Sequence, residues 1–129
     1  MAFSRKKPVK KRKTATNDET CLQMHCKQWL DKSGLWNRLL IFHVANERKG
    51  GIGAIIHFKR MGVRNGVADW LAFLPGRIAV AIELKDDDGE QDADQKKFQR
   101  QWEAAGNAYF LCRTLEEFQG VVQGVALFA

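Results

Sequence analysis

No stretch of this 129-residue chain approaches the roughly 20 consecutive apolar residues of a membrane-spanning helix, and the N-terminal segment lacks the apolar run of a secretory leader. Both absences predict a soluble protein that stays in the cytoplasm, with no membrane partner. Paired cysteine is missing too: Cys21, Cys26 and Cys112 are odd in number and form no C-x-x-C pair. A disulfide framework or a structural zinc site is therefore not expected, and the thiols read as buried or idle. No internal repeat is present. A chain 45% hydrophobic and 28% charged at this length fits one domain with one core and one main site.

Excess positive charge is also lacking from most of the chain. The net charge is +6, but residues 1–13 hold seven Lys and Arg and no acid. The remainder carries fourteen Lys and Arg against fifteen Asp and Glu, a net of −1. Residues 1–17 thus read as a disordered basic arm, with Lys10, Lys11, Arg12 and Lys13 as candidate phosphate contacts, and residues 18–129 as the folded domain. Lys59, Arg60 and Arg64 form a local basic patch on that domain.

Along the domain, Leu22, Cys26, Trp29 and Leu30 recur at helical spacing from an Asn17/Asp18 start to Ser33-Gly34. Residues 39–44 are apolar and β-branched and predict a strand. A short helix follows, carrying Ala54, Ile55, Phe58 and Met61 and stopped by Gly62. After an Asn65-Gly66 turn, residues 67–74 and 77–85 predict a hairpin across Pro75-Gly76. A polar helix over 92–105, a strand at 108–112 and a last helix opened by a Thr114/Glu117 capping box complete the chain. The order α-β-α-β-β-α-β-α predicts an α/β fold with a small mixed central sheet flanked by helices.

Chemistry concentrates in Ile78-Ala79-Val80-Ala81-Ile82-Glu83-Leu84-Lys85. Alternation places Ala79, Ala81, Glu83 and Lys85 on one face and Val80, Ile82 and Leu84 on the other. An acid and an amine side by side behind small alanines create a polar pocket at the strand's end. The hairpin brings Asp69 opposite Glu83 and Lys85. Two carboxylates that close repel, so the arrangement is most favourable around Mg²⁺, with the Leu84 backbone carbonyl as a further ligand and Mn²⁺ as a substitute. With Lys85 orienting a water or stabilising developing charge, the implied reaction is metal-assisted phosphodiester hydrolysis, with no small-molecule cofactor.

Asp69, a gap of 13 residues, then Glu83-Leu84-Lys85 resembles the PD-(D/E)XK nuclease motif. The surroundings narrow the resemblance to the VRR-NUC (virus-type replication-repair nuclease) family. They are Asn46-Glu47, Met61-Gly62-Val63, Gly66-Val67-Ala68-Asp69, Ile82 to Lys85, Gly89, Gln95 and Gly106, spread over roughly residues 18–125. The resemblance implies a restriction-endonuclease-like core in which Asp69 and Glu83 hold the metal, Lys85 assists the attacking water, and Gln95 supports the site. It also implies an acid from the first helix at the metal, for which Glu19 is the candidate. Ala68 stands where the family commonly has proline, which loses backbone stiffness but no ligand. The chain is most similar to small stand-alone viral and bacterial members. These imply an intracellular homodimer, in a bacterial or virus-infected cell, that resolves four-way (Holliday) junctions in DNA repair and recombination. Alternatives on the same fold are a nickase or flap nuclease, or a non-catalytic DNA-binding module.

Other polar residues have plainer readings. Asp86-Asp87-Asp88 is a solvated loop, Asn46 and Glu47 end a strand, and Cys21, His25 and Cys26 have no second ligand pair for zinc. His43 and His57 are strand and helix residues rather than acid-base groups. Trp29, Phe98 and Trp102 are core or dimer contacts.

Overall fold

The computed structural model describes residues 15–45, 50–76 and 78–128, with side chains from Glu19 onward. Within them the order is α1 (Ala15–Lys32), α2 (Leu35–Arg38), β1 (Leu40–His43), α3 (Ile52–Arg60) and β2 (Trp70–Phe73), then β3 (Ala79–Leu84), α4 (Ala93–Ala104), β4 (Ala108–Cys112) and α5 (Leu115–Ala126). The strands form one sheet in the order β1-β2-β3-β4, antiparallel at the first two junctions and parallel at the third. The expected α/β architecture is present.

Two local expectations need correction. The single turn α2 was not foreseen, because four residues are too few to show a helical period. Helix α1 begins at Ala15, so residues 15–17, expected in the disordered arm, are helical. Acids are favourable in a first helical turn, so the helix extends upstream of Asn17 and Asp18 instead of starting at them. The basic residues Lys10, Lys11, Arg12 and Lys13, and Asn46 and Glu47, lie outside the described residues.

The core occupies one face of the sheet. Trp70, Ala72, Val80, Ile82 and Leu84 alternate along β2 and β3 and pack with Ile41 and Cys112 against α1, α2 and α5. Helix α1 supplies Cys26 and Leu30, and α5 supplies Phe118, Val122 and Val125. The fully buried Phe118 ring meets Trp29 edge-on at 6.2 Å and Trp70 at 5.5 Å. Burial first, then neighbouring negative groups, push the Cys26 thiol up to about 12 and that of Cys112 to about 11, which keeps both protonated.

On the opposite face α4 covers β4 and part of β3. Phe98 stacks on Trp102 at 5.4 Å and meets Tyr109 at 6.3 Å, while Trp102 Nε1 donates to the Ala108 carbonyl at 2.7 Å. Strand β3 is consequently buried along its whole length, alanines and Glu83 included. At the start of α5 Thr114 Oγ1 accepts from the Glu117 N–H at 3.1 Å, but the Glu117 carboxylate accepts from the Arg113 N–H at 2.9 Å. The expected capping box is therefore half formed, with its return arm shifted one residue upstream.

Candidate active site

Hairpin register assembles the site. Trp70 pairs with Ile82, which continues to Asp69 opposite Glu83. The Leu84 N–H donates to Asp69 Oδ2 at 2.7 Å. On its other side the Asp69 carbonyl accepts from the Val44 N–H at 2.7 Å and from His43 Nδ1–H at 2.7 Å. Asp69 is thus fixed by β1 through its backbone and by β3 through its carboxylate. The N–H and C=O of one strand residue point the same way, so the Leu84 carbonyl is directed to the Asp69 side as well.

Helix α4 fixes the second carboxylate. Asp92 caps it, accepting from the Gln95 N–H at 2.8 Å, and the Gln95 side-chain oxygen accepts from the Asp92 N–H at 2.9 Å. That return bond orients the amide, whose Nε2 donates to Glu83 Oε1 at 3.0 Å. Gln95 therefore ties the start of α4 to the C-terminal end of β3. Gly66 permits the approach: at φ 78°, a Cβ there would lie 2.4 Å from the backbone of Asp94.

Glu19 comes from the first turns of α1. One turn later Gln23 Oε1 accepts from the Trp70 indole at 2.8 Å, which pins this face of α1 over the residue next to Asp69. Gly89 closes the far side, where a Cβ would meet Asp86 Oδ1 at 2.8 Å, the Lys85 stem at 3.3 Å and Glu19 Oε1 at 3.4 Å. Lys85 is buried, and its N–H bonds the Cys112 carbonyl at 3.0 Å. Asp87 and Asp88 are exposed as expected, but Asp86 is half-buried, and its charge acts on Glu19. The fully buried Ala68 precedes the site.

Electrostatics follow from this crowding. Burial, then the neighbouring Asp69 charge, push the Glu83 carboxyl up to about 9, against the pull of Lys85. Burial also raises Asp69, opposed by the Leu84 N–H, and raises Glu19, with Lys85 opposing. Tyr109 is raised by burial and then by the Glu83 charge. The three carboxylates open onto a cleft of about 350 Å³ lined by Glu19, Asp69, Glu83, Gln95, Arg64 and Asn65, among others.

No family model matches the chain, and no curated protein does. Solved structures do. One described as a VRR_NUC domain protein superposes with a TM-score of 0.70 at 20% identity, covering 87% of this chain and 90% of that one. The fold is that of a VRR_NUC domain. A second structure, described as a VRR_NUC domain, superposes with a TM-score of 0.52 at 17% identity over 82% of this chain and 95% of that one.

Within this VRR_NUC fold, Asp69, Glu83, Gln95 and Glu19 line one cleft together with Arg64, and the buried Lys85 lies close enough for its charge to act on all three carboxylates. Lys59 and Arg60 do not line it; they are exposed on the last turn of α3. The donor set suits a hard divalent cation. Glu83 Oε2 is buried with no N–H donor on it, and its carboxyl can hydrogen-bond Asp69 only while one of the two holds a proton, an arrangement that a cation relieves. Among the described residues no group of three or more His, Cys, Asp or Glu side chains stands at metal-holding spacing.

Several supporting residues escaped the sequence reading. Asp92-x-x-Gln95 carried a capping-box signature that could have been read. Gln23, His43 and Arg113 carried no local signal. Arg113 Nη1 donates to the carbonyls of Asp86 at 2.7 Å and Gly89 at 2.6 Å, holding the loop after Lys85 from 24 to 27 positions away.

Proposed function

We propose that the chain is a Mg²⁺-dependent DNA endonuclease, with Mn²⁺ as a substitute, acting as a homodimer on branched DNA, four-way junctions foremost. The observation that carries this reading is the pairing of buried Asp69 and Glu83, with no N–H donor on one oxygen of Glu83, beside buried Lys85. The VRR_NUC fold supports the nuclease class.

Asp69, Glu83 and the Leu84 carbonyl would hold the ion, with Glu19 completing the rim. A bound divalent cation supplies charge neutralisation at the phosphate and acidification of water. Gln95 keeps Glu83 aimed at the cleft, and the Leu84 N–H does the same for Asp69. Lys85 presents its ammonium from a buried stem, where it orients the attacking water and stabilises charge developing on the phosphate. Self-association is supported by an apolar surface at the β1 side of the sheet, where Phe42 of β1 and Phe73 of β2 stack at 6.0 Å while 39% and 40% exposed. Two symmetric sites suit a junction in which opposed strands are cut.

The test is cleavage of labelled four-way junction, flap and linear duplex with Mg²⁺, Mn²⁺ or EDTA, alongside light scattering for the dimer. Paired symmetric nicks on the junction are expected, and Lys85→Ala should lower the rate by about 10²–10⁴-fold while DNA binding persists. Absence of metal-dependent cleavage on every substrate would overturn the proposal.

A further inference from the structure

A second cleft of about 290 Å³ adjoins the first, lined by Arg64, Asn65, Asp94, Lys97, Phe98 and Gln101. Arg64, Asn65 and Asp94 line both, so the two form one continuous groove. Positions 94, 97, 98 and 101 of α4 fall at i, i+3, i+4 and i+7 and make a single stripe. The opposite wall is the 64–66 turn, wedged against the start of α4 at Gly66. Arg64 Nη1 donates to Gln101 Oε1 at 2.9 Å, which aims the guanidinium along the groove with donors to spare. The floor is the half-buried Phe98 ring, backed by Trp102.

We infer that this groove seats a nucleotide of the bound strand next to the one being cut, its phosphate on Arg64 and Lys97 and its base or sugar on the Phe98 ring. The inference rests on the nuclease reading for the strand's course through the carboxylate cleft. The stripe from Asp94 to Gln101 is about 10 Å long at 1.5 Å per residue, enough for one or two nucleotides beyond the scissile one. Glu19, Asp69 and Glu83 lie at one end of the groove and Lys97 at the other, with Arg64 and Asp94 shared between the two clefts. The scissile phosphate enters the acidic end, where a metal mediates its contact, and the flanking phosphate meets Arg64 and Lys97 directly. Asp94 stands between, opposing a phosphate at the junction of the clefts and so helping to set the register. The aromatic floor takes any base, so the groove favours no sequence.

The test is DNA binding in EDTA over a range of salt, for wild type, Arg64→Ala, Lys97→Ala and Lys96→Ala. Lys96 sits on the same helix but does not line the groove, and it controls for net charge. Arg64→Ala and Lys97→Ala should each weaken binding on every sequence and reduce the slope of log K against log salt by about 1, with Lys96→Ala unchanged. In cleavage, their loss should fall mainly on KM. Slopes and affinities of both variants equal to those of Lys96→Ala would overturn the inference, and wild-type cleavage would then leave the nuclease reading standing. A reduced slope in a protein that cuts no DNA would keep the groove and sink the nuclease.

Discussion

At the scale of the residue, Glu83 concentrates the physical tension of this molecule. Its carboxyl is held near 9, against an ordinary 4.5, by burial and by Asp69. A raised folded-state pKa means that the proton favours folding: the contribution is fully present below about pH 4.5 and lost as pH rises through 9. Asp69 is raised in the same sense. Urea unfolding in EDTA should therefore show wild-type stability falling from pH 5 towards pH 9, and Glu83→Gln should flatten the fall; equal slopes would refute the assignment. Because an ion competes with this proton, the stability that Mg²⁺ adds should grow over the same window, reaching about 2.7 kcal/mol at a hundredfold excess over Kd. Asp69→Asn should lose that increment, and if it keeps it the ion is bound elsewhere. The Asp69-Glu83-Lys85 set was legible because strand alternation and a two-residue turn fix which side chains meet. The anchors of that set were not: Gln23 and His43 act through contacts 47 and 26 positions distant, and no local pattern encodes them.

At the scale of the element, α4 connects stability to the site. Its capping box closes the helix start and, through the same Gln95 amide, aims Glu83. Asp92→Ala should cost about 1 kcal/mol of folding stability, as cap losses generally do. Its rate of cleavage should fall further, by about tenfold or more at equal folded fraction, because the Glu83 carboxylate loses its guide. A stability loss with no change in rate would show that Gln95 is held without the cap. Most elements were readable from periodicity and punctuation. The failures were α2, too short to show a period, and the upstream end of α1, which lies before the expected Asn17/Asp18 start.

At the scale of the whole molecule, charge is divided unevenly along the chain. The +7 of residues 1–13 against the −1 of the rest predicts that attraction to DNA resides largely in those first residues. If about five of their charges meet phosphates, the slope of log K against log salt is on the order of −4 to −5, and deleting residues 2–13 should flatten it by that amount. An unchanged slope would assign DNA attraction to the domain, through the Arg64 and Lys97 groove. Sequence by itself determined the α/β class, the hairpin and the meeting of Asp69 with Glu83 across it, since all three follow from local periods and turn geometry. Only the tertiary structure decided that Glu19 reaches the same cleft, that Asp86 is half-buried while Asp87 and Asp88 stay exposed, and that a second cleft continues the first. Those outcomes depend on how α1, α4 and the 64–66 turn pack across the sheet, and packing between distant segments leaves no period in the chain to read.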